Sequence, residues 1–308
     1  MVILSRRKRY LRSVYKNWQL YVFLLPAIVS YIMFEYAPMY GIQLAFKDLS
    51  LRAGITRSPW VDPIFHHFQR FFQSHMFSTV VLNTIFLNLY YLIAGFPLPI
   101  ILAILLNECK NKRFMKIVQN VTYAPYFISV VILVGMMNLF FMSRGVVNQI
   151  FAVINITPVH FLNRGELFPH LYVWSGIWQH MGFASIIYFA SLSGVPPELH
   201  EAAIIDGATR FRRIWHINLP HIRPTIIILF ILNTASMMNI GFEKVFLMQN
   251  GLNLRFSEVI STYVYKLGVE QRNYGLASAV GLFNNVINLT IMITVNQIAK
   301  KVSNISLF

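Results

Sequence analysis

The chain has 308 residues, of which 56% are apolar and only 12% charged, with a mean hydropathy of +0.55. That balance excludes an ordinary soluble domain and indicates an integral membrane protein. The formal net charge of +15 is accounted for by membrane topology and contact with anionic lipid headgroups, and it implies no nucleic-acid partner.

In chain order, residues 1–16 form a basic N-terminus containing Arg6, Arg7, Lys8, Arg9, Arg12 and Lys16. Crossing a bilayer core takes roughly 20 mostly apolar residues, and the first such run is 18–41. Its apolar part, 18–33, is too long for the core of a cleaved export signal. It leads into Glu35-Tyr36 without a small-x-small cleavage site, so it reads as an uncleaved span. The second span, 79–106, carries Gly95-Phe96-Pro97-Leu98-Pro99, and the third, 117–142, carries Pro125. Both helices are expected to kink or partly unwind there. Broken helices persist in lipid only where protein or a water-filled cavity meets the freed backbone groups, so these prolines shape either a pathway or the packing. Lys110, Lys112, Arg113 and Lys116 crowd the turn between the two spans. The single Cys109 excludes an internal disulfide and offers no metal cluster.

The fourth, fifth and sixth spans are expected at 171–193, 222–243 and 276–299. All six should be α-helical, because unpaired backbone groups are too costly in hydrocarbon and the runs are too long for barrel strands. Arg210, Arg212, Arg213 and Arg223 lie between the fourth and fifth, and Lys300-Lys301 follows the sixth. The positive-inside rule then puts both termini and these basic loops in the cytoplasm.

Polar side chains inside the spans mark a candidate substrate path: Asn138, Trp174, Trp178, Gln179, Asn233, Asn239, Asn284 and Asn288. Amides hydrogen-bond sugar hydroxyls and indole faces stack on the CH surface of a sugar ring. Contacts between helices use the same residue types, so packing is the competing reading at each position. Trp174 and Trp178, four apart, share one helix face.

Enzyme chemistry finds little support. There is no G-x-x-x-x-G-K-[ST] phosphate loop, so any ATP must be held by another subunit. His200-Glu201 begins an H-E-x-x-H zinc pattern, but Ile204 stands where the second histidine belongs. Ser191-Leu192-Ser193-Gly194 lacks the first glycine of a serine-nucleophile turn. The chain therefore reads as a membrane protein without catalytic or metal-binding residues.

The polar island 194–221 has its own punctuation. Pro196, Pro197 and Glu198 are residues of a helix start. Leu199, Ala202 and Ala203 fall on one face, Gly207 permits a reversal, and a second short helix with Arg210, Arg212 and Arg213 should run to Pro220. The result would be a helix-turn-helix knob at the membrane surface.

Glu201-Ala202-Ala203, Asp206-Gly207 and Leu219-Pro220, at these spacings, resemble the EAA loop of the permease subunits of binding-protein-dependent ABC importers. The likeness extends along nearly the whole chain. Tyr36-Ala37-Pro38-Met39-Tyr40-Gly41, Leu106-Asn107-Glu108 and Phe242-Glu243-Lys244-Val245-Phe246 are similar to permeases for polysaccharides and complex oligosaccharides. The resemblance implies an all-α type I importer transmembrane domain of six helices over 17–300, with a cytoplasmic coupling loop at 194–221 and a tail at 301–308. It implies Glu201, Ala202, Ala203, Asp206, Gly207, Leu219 and Pro220 as the contact with the ATPase. It also implies a bacterial cytoplasmic membrane, a second homologous permease, two ATPase subunits carrying ATP and Mg, and an extracytoplasmic sugar-binding protein, often a lipoprotein. The implied cargo is an oligosaccharide moved by alternating access, with no cofactor on this chain. Gly251-Leu252-Asn253-Leu254-Arg255 and the ending Ile305-Ser306-Leu307-Phe308 depart from the usual pattern. The remaining alternatives are another small polar solute for a permease of this kind, or a channel or secondary carrier whose transport would survive without ATP.

Overall fold

The computed structural model describes residues 15–235 and 237–303. Most of the basic N-terminus and the 305–308 ending lie outside them. The described residues are helical, with one isolated bridge between Lys47 and Trp60. The principal helices are α1 (Trp18–Tyr31), α2 (Met76–Gly95), α3 (Pro97–Asn107), α4 (Lys112–Tyr123), α5 (Val130–Phe141), α6 (Phe168–Leu192), α7 (Pro197–Ile205), α8 (Leu219–Ala235), α9 (Phe242–Met248) and α10 (Tyr274–Ser303).

Five helical runs are long and apolar enough to cross a membrane: Trp18–Phe46, Met76–Asn107, Val130–Val153, Arg210–Thr234 and Tyr274–Val302. The sequence reading has six. The expected span 171–193 corresponds to α6, whose 25 residues reach about 37 Å at 1.5 Å per residue. It falls short on apolarity and not on length, because His170, Ser175, Gln179, His180, Ser185 and Ser191 lie along it. Gln179 and Ser185 are buried among neighbours, since α6 is the central helix and packs against α2, α3, α4 and α8, whereas His170 and His180 stay exposed.

Small residues make that packing close. A Cβ added at Gly182 would collide with the Thr122 carbonyl oxygen, so α4 rests directly on the backbone of α6. At Gly95 an added Cβ would stand 3.3 Å from Ile177 Cγ1. The first span is the opposite case: every residue from Tyr15 to Tyr40 is exposed, and its contact with α10 comes through the 3-10 turn Tyr40–Phe46.

Three expectations need correction. The third apolar run long enough to cross is Val130–Val153 and not 117–142. The helix before it starts at Lys112, because Asn111 Oδ1 accepts from the backbone of Arg113 (3.0 Å) and Phe114 (3.1 Å). It then opens at Ala124–Phe127, where Pro125 cannot donate, and restarts at Val130 under a Ser129 cap. The fifth expected span is helical as far as Ala235 and not to 243, and residues 237–241 before α9 are not helical, with Met238 N held by Asn288 Oδ1 at 3.1 Å. Pro220 does not end the second helix of the polar island. Arg210–Arg213 continues through a π-turn, Ile214–Asn218, into α8, and the wider turn accommodates the proline.

The end opposite the polar island is also ordered. Asn250 and Asn253, flanking and within the atypical 251–255 segment, both donate to Leu162 O, at 2.9 and 3.2 Å. Lys47 donates to Ile55 O and Thr56 O and lies over Trp60.

The α4–α6 contact should be the least forgiving one. Gly182→Val is expected to cost about 1–3 kcal/mol through overpacking against backbone, lowering the melting temperature of the detergent-solubilised protein. Gly135→Ala in α5, where a Cβ meets nothing within 4 Å, should leave it unchanged.

Candidate functional site

Two places concentrate the residues singled out from the sequence. The first is the knob that follows α6. Pro196 and Pro197 start α7, with Glu198 in its first turn. The helix closes with paired bonds, Gly207 N to Ile204 O (3.0 Å) and Ala208 N to Ala203 O (2.8 Å). This is a Schellman cap, which needs a left-handed residue at Gly207, and its φ is +77°. The chain restarts under Thr209, whose Oγ1 accepts from Arg212 N.

Glu201, Ala202, Asp206 and Gly207 are exposed, and Ala203 is half-buried. Ile205 is 86% exposed and Phe211 72%, which leaves an apolar rim around the turn. Leu219 is half-buried and Pro220 exposed at the base. There the wholly buried Asn218 donates to Glu108 Oε1 at 3.3 Å, tying the knob to the end of α3. A Cβ added at Gly207 would meet nothing within 4 Å among the described residues, so the tip of the turn stands clear.

The second place is a cavity of about 390 Å³ between α2, α3, α6 and α8. Its polar lining comes from Tyr91, Tyr172, Tyr188, His180, Asn88, Asn233 and Asn239, with no carboxylate among the residues that line it. Tyrosine faces alternating with amides can stack on a sugar ring and bond its hydroxyls, as an oligosaccharide path requires.

Of the expected path residues, only Asn233 and Asn239 line this cavity. Trp174 and Trp178 line a separate, almost wholly apolar hollow of about 460 Å³ beside α5. Trp174 Nε1 donates to Tyr90 Oη at 3.0 Å, and Tyr90 Oη pairs with His170 Nδ1 at 2.9 Å. Gln179 is buried and donates to Ile128 O at 2.7 Å, meeting a carbonyl freed where the third span opens. Asn284 donates to Asn239 Oδ1 at 3.3 Å, and Asn288 holds Met238 N. Asn138 is exposed on α5 and lines neither cavity.

Sequence reasoning missed Tyr91, Tyr172 and His180. Tyr91 adjoins Tyr90 in the chain, yet Tyr91 lines the amide-lined cavity while Tyr90 bonds Trp174 and His170 of the other hollow. Within so aromatic a chain the tyrosines carried no separate signal.

Residues 95–304 match the family model described as the inner membrane component of binding-protein-dependent transport systems. The chain is 40% identical over 290 residues to Protein LplB of Bacillus subtilis (strain 168), covering 94% of this chain and 91% of that protein. It is 38% identical to the polygalacturonan/rhamnogalacturonan transport system permease protein YteP of the same organism, over 96% of this chain and 92% of that one. Among solved structures it is similar to a bacterial ABC transporter involved in the import of the acidic polysaccharide alginate. That likeness has a TM-score of 0.88 and 38% identity, over 96% of this chain and 99% of the other. The same alginate transporter in complex with an alginate pentasaccharide-bound periplasmic protein gives a TM-score of 0.87. With the family model spanning well over half of its length, this chain belongs to the binding-protein-dependent transport system inner membrane components, as a multi-pass protein of the cytoplasmic membrane.

Proposed function

We propose that this chain is a six-span permease subunit that moves an oligosaccharide into the cell by alternating access, driven by ATPases docked on the knob at α7. The observation that carries the reading is the knob itself: a capped helix with exposed Glu201, Ala202 and Gly207 and a bare apolar rim. An exposed isoleucine and phenylalanine beside a membrane protein's basic loops suit burial in a partner's groove. In this reading Glu201 meets a basic group of the ATPase, Ala202 and Ala203 allow close approach, and Asp206-Gly207 forms the turn on which the knob pivots. Leu219 and Pro220 anchor it to α8.

The remaining parts of the assembly follow from that role. Both termini are cytoplasmic, with 1–16 and 301–308 as tails on the transmembrane domain 17–300. A second permease completes the pathway, two ATPases hold ATP and Mg, and an extracytoplasmic sugar-binding protein docks on the outer segments 42–78 and 244–275. The names of the similar permeases, for galacturonan-type polymers and alginate, support a glycan cargo. The tyrosine and asparagine lining of the 390 Å³ cavity supports it independently. Each ligand shifts the inward–outward equilibrium only as far as it binds one state better than the other.

Two substitutions test the docking role. Gly207→Arg forces a left-handed residue at a cost of about 1 kcal/mol and places a long side chain on the knob. Sugar uptake should be lost while the amount of protein in the membrane is kept; normal uptake would refute the assignment. Ile205→Asp removes an apolar side chain whose burial is worth about 1.5–3 kcal/mol. Recovery of the ATPase with the tagged, solubilised chain should weaken about 10- to 100-fold. Equal recovery from both proteins would show that the rim is not the contact, and a chain that never brings down an ATPase would favour a channel or carrier.

A further inference from the structure

Lys244, in the first turns of α9, is 8% exposed and has no acidic partner. The one ion pair among the described residues joins Lys266 and Glu258, elsewhere in the fold. The Lys244 ammonium donates to Tyr172 O at 2.9 Å and stands 4.8 Å from the centre of the Tyr172 ring. No other hydrogen bond from it is formed within the described residues, although an ammonium has three protons to give.

The space it occupies is specific. A Cβ placed on Gly176 would come within 3.1 Å of Lys244 Nζ and 2.8 Å of Tyr91 Cε2. The missing side chain at Gly176 therefore opens a notch in α6, and the lysine head lies in it between the rings of Tyr91 and Tyr172. Both tyrosines line the 390 Å³ cavity, as does Gly241, one residue before α9. The charge thus lies one side-chain layer behind the cavity wall, and that wall carries no carboxylate to neutralise it.

A cation buried without a counter-charge is unfavourable, and a neutral sugar would do nothing to relieve it. An anion in the cavity would. The cation is also held in place before the anion arrives, so little reorganisation is needed when it binds.

We propose that Lys244 makes this permease selective for glycans that carry carboxylates, its ammonium supplying the counter-charge to a uronate as it passes Tyr91 and Tyr172. The inference rests on the glycan reading above and narrows it from sugars in general to acidic ones. Lys244 acts here as a specificity determinant of the cavity and not only as a clamp of α9 on α6.

The test compares uptake by intact cells whose only copy of the permease is wild type, Lys244→Gln or Lys244→Met. Glutamine keeps a donor for Tyr172 O and removes the charge; methionine removes both. The probes are labelled tetrasaccharides of alginate and of galacturonan, each beside its carboxyl-reduced neutral counterpart. The binding protein is the same in every strain, so its own preference cancels when the acid-to-neutral uptake ratios are compared. The ratio should fall by about tenfold in both variants through loss of the acidic substrate, with uptake of the neutral form kept. A ratio unchanged in Lys244→Gln, or an equal fall for acidic and neutral forms, would overturn the proposal and leave a structural lysine in an otherwise intact glycan importer. Should Lys244→Met fail to reach the membrane, Lys244→Gln decides alone. If the wild type imported none of the four probes, the glycan reading itself would fall, and this inference with it.

Discussion

The constraint on which this structure depends is that hydrocarbon offers no partner to a freed backbone group. At two of the breaks a side chain from a neighbouring helix meets what is released. Gln179 on α6 takes the Ile128 carbonyl where the third span opens after Pro125. Asn288 on α10 takes Met238 N where the fifth span ends early, and Asn284 bonds the Asn239 side chain beside it. Amides buried in such a chain are thus bound first to the upkeep of the fold. Asn233 and Asn239 are the expected path residues that reach the cavity wall.

The same helix carries the cavity and leads to the knob. Tyr172, Ile177, His180 and Tyr188 of α6 line the cavity, and four residues after Leu192 the chain reaches Pro196 and then α7. A second tie runs from Asn218, at the base of the knob, to Glu108 at the end of α3, and Pro99 of α3 lines the cavity too. The knob and the cavity therefore share two rigid elements, and a displacement of one has a short mechanical route to the other. Close contact at Gly182 and Gly176 makes α6 poor at bending and suited to moving as a unit.

The knob was legible in the sequence almost residue by residue. Pro197 at the first helical position and Gly207 at the cap are demanded by local backbone chemistry, and the observed φ of +77° at Gly207 is the conformation that glycine tolerates best. Pro220 misled because a proline stops a helix only if the turn before it cannot widen, and here a π-turn does so. The breaks at Pro125 and near Gly95 were readable from the same chemistry. Their consequences were not, since which neighbour meets an orphan carbonyl depends on the packing partner. Trp174 and Trp178 share a face as their spacing requires, but that face turns to an apolar hollow and not to the amide-lined cavity.

The sequence by itself determined what acts over a few turns of chain: membrane residence, the apolar runs, and the knob with its helix start at Pro197 and its reversal at Gly207. Apolarity, charge and caps are properties of local segments, so they survive without knowledge of the fold. Only the tertiary structure decided which groups meet across it. It set Tyr91 and Tyr172 around a common cavity, gave Gln179, Asn284 and Asn288 to backbone and amide partners, and placed the Lys244 ammonium in the notch at Gly176. These pairings depend on how helices far apart in the chain rotate and approach one another, and a helical face read from spacing does not say which neighbour it will meet.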